Sequence, residues 1–149
     1  MFGLRIDIIE RNVTCLGKQV LKIINAAKPF TEDCFWYTGD VLITGLASDL
    51  QSGEVNTTKK FDFKDLCTLL EKASEFQFMS GVFIAKLKNL KINLNQKLET
   101  EEMKTIQIQD AIIEIRIFDT SYFEVYTKNK ELKKALQEKF KVEIFKCDF

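Results

Sequence analysis

The sequence predicts an α+β domain: an antiparallel or mixed sheet of about six to eight strands with three helices packed mainly on one face. Short segments in which every second residue is apolar recur from one end of the chain to the other, the pattern of half-buried strands. Other segments space their apolar residues at three and four, the pattern of helices with one buried stripe. Most neighbouring strand segments are joined by short polar loops, which favours antiparallel or mixed pairing with the helices gathered on one side. At 149 residues, 46% apolar and with 13 Phe, the chain reads as a single domain over 1–149, able to close a core.

Residues 2–9 read as the first strand, with Phe2, Leu4, Ile6 and Ile8 on one face and Arg5 and Asp7 on the other. Val13, Leu16, Val20, Ile23, Ile24 and Ala27 follow at helical spacing, with Asn12 as the expected N-cap and Pro29 as the stop. Phe35-Trp36-Tyr37 and Val41-Leu42-Ile43 are expected as two short strands of a hairpin that turns at Thr38-Gly39-Asp40. Residues 45–60 are polar and carry Gly and Ser, so a loop is expected there, the most mobile part of the chain. Asp62 should cap a second helix running to about Ala73, with Phe63, Leu66, Leu69 and Leu70 inward.

Residues 82–87 form an apolar run expected as a central strand. Leu90, Ile92 and Leu94 alternate again, in the opposite phase from Phe83, Ala85 and Leu87, so a turn or bulge near Lys88-Asn89 is expected between two strands. The charged residues 95–104 fit either a loop or a short helix. Farther on, Ala111, Ile113, Ile115 and Ile117 alternate with Glu114 and Arg116, and Phe123 and Val125 alternate with Tyr122, Glu124 and Tyr126. A two-residue loop at Asp119-Thr120 would set Arg116 opposite Phe123 and mix the two faces. A three-residue loop, Asp119-Thr120-Ser121, aligns Ile117 with Phe123, Ile115 with Val125 and Arg116 with Glu124, giving one buried and one charge-paired face. The three-residue loop is therefore expected. Asn129 should cap a last helix over 130–140, with Leu132, Ala135, Leu136 and Phe140 inward, before a terminal strand through Val142, Ile144 and Cys147.

Charges balance, 22 basic against 22 acidic, which argues against binding to nucleic acid or an anionic membrane through a general basic excess. The longest apolar runs fall far short of the roughly 20 residues that span a bilayer, and the first ten residues lack the pattern of a signal peptide, so a cytoplasmic location is expected. Histidine is absent, which removes Ser–His and Cys–His mechanisms and the helical H-E-x-x-H zinc site. Cys15, Cys34, Cys67 and Cys147 make no C-x-x-C pair and are expected as free, mostly buried thiols. Neither phosphate-loop glycine pattern occurs around Gly39 or Gly45. No catalytic residue, metal site or cofactor is therefore expected.

Four features invite a functional reading beside a structural one. Trp36 and Tyr37 suit an interface anchor, or the core. Glu99, Glu101 and Glu102 suit a cation or a basic partner, or a solvated face. Glu114, Arg116, Glu124 and Tyr126 suit an acid–base site on an open sheet face, or cross-strand pairs. Asp119-Thr120-Ser121 sets hydroxyls beside a carboxylate, which is also ordinary turn chemistry.

The stretches Phe35-Trp36-Tyr37-Thr38-Gly39-Asp40 and Asp119-Thr120-Ser121-Tyr122-Phe123-Glu124-Val125-Tyr126-Thr127-Lys128-Asn129-Lys130-Glu131-Leu132 resemble an uncharacterised family of small proteins from low-GC Gram-positive bacteria. That family shows a W-Y-x-G-like hairpin and a hairpin running into a capped helix. The resemblance implies no activity and supplies no catalytic residue. In size and style the chain is also similar to bacterial toxin-immunity proteins, small α+β domains that neutralise a toxin by binding it. The expectation that follows is a non-enzymatic domain whose partner is another protein, a toxin in its concrete version, contacted through Trp36, Tyr37 and the 45–60 loop with Asp49 and Glu54. A small-molecule binder or carboxylate-dependent enzyme, and a structural homo-oligomer subunit, stand as alternatives.

Overall fold

Alternation of apolar side chains draws Phe2–Ile6 into a first strand, β1, with Leu4 and Ile6 buried. The first helix, α1, spans Gly17–Ala27 and buries Val20, Ile23 and Ile24; it runs into a 3-10 turn, Lys28–Phe30, that carries Pro29. It begins later than the spacing of Val13 and Leu16 predicts, because Cys15 adopts a left-handed backbone, φ 63°, through which no helix can pass. Leu16 instead bridges to Gln77, and its N–H donates to the Gln19 side chain at 2.8 Å. The expected cap, Asn12, lies outside the described residues, which are 1–8, 13–45, 49–53, 57–102, 106–118 and 120–147 of this computed structural model.

The strand β2 spans Cys34–Ile43 and is followed by the short edge strand β3, Lys59–Phe61, and the helix α2, Phe63–Lys72. Asp62 caps α2 as expected, accepting from the Asp65 N–H at 2.7 Å. The remaining elements are β4, Phe78–Leu87; β5, Ile113–Phe118; β6, Tyr122–Thr127; α3, Lys130–Lys139; and β7, Val142–Lys146. Asn129 caps α3 by accepting from the Leu132 N–H at 2.9 Å. Among the described residues seven strands make one antiparallel sheet in the order β3-β2-β4-β5-β6-β1-β7, so the fold is α+β with three α-helices.

The β5–β6 hairpin takes the register that face-matching predicts. Ile117 pairs with Phe123, Arg116 with Glu124 and Ile115 with Val125. Of its loop, Asp119 lies outside the described residues, Thr120 has φ 59°, and the Ser121 N–H donates to the Phe118 carbonyl at 2.7 Å.

Two further expectations fail, each for a physical reason. Residues 35–43 do not turn back as a hairpin. The Thr38-Gly39-Asp40 signal is spent on a bulge inside β2, where Asp40 takes φ 51° and the pairing with β4 shifts between Gly39 and Leu42. Leu90, Ile92 and Leu94 form no strand; the chain leaves β4 in a turn and crosses the sheet as irregular structure. Within the expected 45–60 loop, Lys59 and Lys60 belong to β3, while 46–48 and 54–56 lie outside the described residues.

The helix-bearing side of the sheet holds the main core, built from Leu4, Trp36, Phe78, Phe83, Ile115, Phe123 and the inward stripes of the helices. Its tightest joint is backbone against backbone: the Gly17 N–H donates to the Phe76 carbonyl and the Lys18 N–H to the Ser74 carbonyl, both at 3.1 Å. A Cβ at Gly17 would stand 2.2 Å from the Ala73 carbonyl oxygen. Gly17→Ala should therefore lower unfolding stability in urea by about 2 kcal/mol or more. Gly53→Ala, with nothing within 4 Å of the added carbon, should stay within about 0.5 kcal/mol of the parent.

Candidate functional site

Among the described residues no helix lies on the second face of the sheet, yet much of it is dry. Val82 and Ile84 of β4 and Tyr37 of β2 are buried there beneath a covering segment, described over 88–102 and 106–112, which lays Leu98 and Ile108 on them and packs Ile92 and Ala111 around the margin. Gly39 permits the crossing: a Cβ at that position would stand 2.8 Å from that of Leu98. The β2 bulge anchors the segment, because Asp40 accepts from the Thr100 N–H at 2.9 Å and Thr100 accepts from the Gly81 N–H at 3.2 Å.

Under the same segment lie Glu114 and Arg116, each with a side chain only 1% exposed, joined at 2.6 Å. Register places Arg116 opposite Glu124, but the charge pairing runs along β5 to Glu114. Glu114 also accepts from the Gln107 backbone N–H at 3.0 Å and its side-chain amide at 3.3 Å, while Arg116 donates to the Glu102 carbonyl. The Arg116 guanidinium lies 4.7 Å from the centre of the Tyr126 ring. Glu124 accepts a hydrogen bond from the Tyr126 hydroxyl and has Arg5 at 3.9 Å, and Arg5 stacks 4.1 Å above Tyr122. Burial, then the Glu124 hydrogen bond, hold the Tyr126 phenol well above its usual range, so it stays protonated. These groups do not form an open acid–base site: Glu114 and Arg116 are spent on each other and on the backbone of the covering segment.

Near its 88 end and near its middle at 99–101 the segment leaves depressions, besides one of about 330 Å³ beside Ile106, Asp110 and Ile112. The first, of about 250 Å³, is lined by Phe35, Tyr37, Lys60, Lys88, Lys91 and Ile92 among others. The second, of about 490 Å³, has Leu42, Met79 and Phe118 beside Asp40, Glu99 and Glu101. Leu42 and Met79 are 45% and 41% exposed, and Glu99 and Glu101 are exposed at the rim.

The structure separates the side chains that the sequence groups. Trp36 is fully buried and faces the helices, so it offers no contact surface; Tyr37, next in the chain, faces the other way into the 250 Å³ depression. Asp49 is exposed and lines neither depression; its carbonyl accepts from Lys59 at 2.7 Å. Glu54 lies outside the described residues. Lys60, Lys88, Lys91, Leu42 and Met79 were not singled out from the sequence. The close spacing of Lys86, Lys88 and Lys91 was the available signal for the basic end, whereas the acidic end depends on a loop path that no periodicity reveals.

Cys15 and Cys34 are buried, and Cys67 and Cys147 half-buried, all as free thiols. Among the described residues no His, Cys, Asp and Glu side chains group as a metal site. No helix among them is long and apolar enough to cross a membrane. Comparison of the chain with protein-family models, with curated proteins and with solved structures finds no match.

Removing one partner of a buried ion pair strands the other's charge. Glu114→Leu alone should cost about 3–5 kcal/mol in chemical denaturation, and adding Arg116→Met should recover most of that loss. A second prediction concerns alkali. Burial lifts the Cys15 thiol from 9.0 to about 11. A group whose pKa is raised on folding gives stability that is full below its unfolded pKa and lost as pH climbs to the folded one. Unfolding free energy should thus fall between about pH 9 and 11, and Cys15→Ala should flatten that part of the profile by on the order of 2 kcal/mol.

Proposed function

We propose that this protein is a non-enzymatic protein-binding domain, of the inhibitor or toxin-immunity type, acting in the bacterial cytoplasm. The observation that carries this reading is the acid-rimmed apolar surface at the bulged end of β2, where Leu42, Met79 and Phe118 meet Asp40, Glu99 and Glu101. Large apolar side chains left together in water mark an interaction surface, and a carboxylate rim selects a cationic partner and speeds its approach. A toxin that cleaves nucleic acid fits that chemistry, because a polyanion-binding enzyme must present a basic surface. The likeness in type to toxin-immunity proteins points the same way.

The test is binding by the purified product of a neighbouring gene, measured by calorimetry with surface variants. Leu42→Asp should weaken a micromolar or tighter complex by about tenfold or more, roughly 1.4 kcal/mol. Glu99→Lys with Glu101→Lys should slow association and remove much of its salt dependence. A complex indifferent to both changes would show that this surface is not the docking site.

A homo-oligomer subunit is a second reading, favoured by one feature. β7 is an outer strand of the sheet, and its Ile144 is 50% exposed. Light scattering on a size-exclusion column separates the two readings: a monomer at micromolar concentration removes the second.

A further inference from the structure

The basic depression lies on the same sheet face as the acid-rimmed surface but at the other end of the β2–β4 pair, and its observations are independent of the protein-binding reading. Phe35 forms its centre. Lys60, from the edge strand β3, places its ammonium 4.4 Å from the Phe35 ring centre, and Lys88, from the turn after β4, places its own at 5.2 Å. Two like charges brought to one ring from separate elements stand within about 10 Å of each other and repel. Lys91 adds a third charge to the lining. Lys86, the Phe35 partner across the β2–β4 ladder, is only 7% exposed but is not part of the lining. Among the described residues none of these four ammonium groups has a carboxylate within ion-pairing distance.

A surface lysine held over an aromatic ring is common and cheap. Three lysines gathered on one depression, two of them at one ring and none of them ion-paired, raise the local positive potential and favour an anion there. Tyr37 adds a phenol to the lining, kept protonated by burial and so able to donate to an acceptor oxygen. The rest of the wall, Phe35, Ile92 and their neighbours, is apolar. At about 250 Å³ the space is below that of a drug-sized site.

We infer that this depression is a binding site for a small phosphorylated ligand, with the phosphate held by Lys60, Lys88 and Lys91 and the Tyr37 hydroxyl, and a compact apolar or aromatic body lying against Phe35 and Ile92. Lysine suits the phosphate as a set of point charges that need no planar fork. Two of the lysines meet at a single ring with the third beside it, a layout that fits one phosphorylated group better than a strand of them, since a nucleic-acid track needs successive stacking platforms along a basic groove.

Titration of the ¹⁵N-labelled chain with AMP and, separately, with inorganic phosphate tests the inference by NMR. AMP should shift the amides around Phe35, Lys60 and Lys88 with a sub-millimolar Kd. Inorganic phosphate should bind the same place about tenfold more weakly, and Lys60→Gln with Lys88→Gln should weaken AMP by about tenfold while the rest of the spectrum keeps its dispersion. Lys91→Gln, on the exposed segment, carries the same test if the paired variant unfolds. Shifts centred elsewhere, AMP no tighter than phosphate, or lysine variants without effect would each overturn the site. Binding to a single-stranded oligonucleotide that tightens with its length would overturn it in favour of a nucleic-acid surface. Loss of the phosphate site would leave Leu42 and Met79 untouched, so failure here and failure of the protein-binding reading can be told apart.

Discussion

Water has to be kept from both faces of β4. Val82, Phe83, Ile84 and Ala85 are consecutive and all fully buried, so their side chains alternate to opposite sides of the sheet and each side needs a cover. Helices α1, α2 and α3 supply one cover and satisfy their own backbone hydrogen bonds as they do so. The other is the irregular chain over 88–102 and 106–112, whose buried peptide groups have no ladder and must be met one at a time. The Leu94 carbonyl accepts from the Thr58 N–H at 3.0 Å, the Gln96 carbonyl from the Thr58 hydroxyl at 2.7 Å, and the Thr100 N–H donates to Asp40. The polar side chains set into this face of the sheet follow from the kind of cover it received.

The Glu114–Arg116 pair belongs to that cover. Two charges taken from water lose several kcal/mol of hydration each, and their mutual attraction returns it only when every remaining hydrogen-bonding site is met. Glu114 receives Arg116 and two donors from Gln107, and Arg116 also reaches the Glu102 carbonyl and the Tyr126 ring, so the pair pins the covering segment at 102 and 107. The same dryness keeps the Tyr126 phenol protonated, as burial in the helix-side core does for the Cys15 thiol. Perturbed groups gathered on one face can signal chemistry. Here each has a packing partner that accounts for it.

The elements legible in the sequence are those whose residues answer to near neighbours. The Asp62 and Asn129 caps bond the backbone three residues on, and the β5–β6 register follows from a period of two across a short loop. The misreadings involve long-range partners. Thr38-Gly39-Asp40 carries a turn signal, and only the presence of β4 alongside converts the turn into a bulge. Leu90, Ile92 and Leu94 alternate like a strand, but no free edge is offered to them: β2 and β5 already flank β4, and apolar side chains can also be hidden by lying across a face. The candidate sites were illegible for the same reason, since the covering segment sets where the sheet face is left open. Trp36 and Tyr37 are neighbours in sequence and opposite in the fold, which is what a strand does to any adjacent pair.

Zero net charge, read from composition, speaks against steering by the molecule as a whole. It does not describe what a ligand at the surface meets. The lysines gather where β2 begins and β4 ends, while Asp40, Glu99 and Glu101 gather at the other end of the same pair. Phe35 and Leu42 are seven residues apart along β2, which at the rise of a strand is roughly 20 Å. Screening at physiological salt acts over about 8 Å, so the two ends do not cancel each other in solution. A chain that is neutral in sum thus presents two local fields of opposite sign, and the segment that keeps the middle of the face dry is what holds them apart.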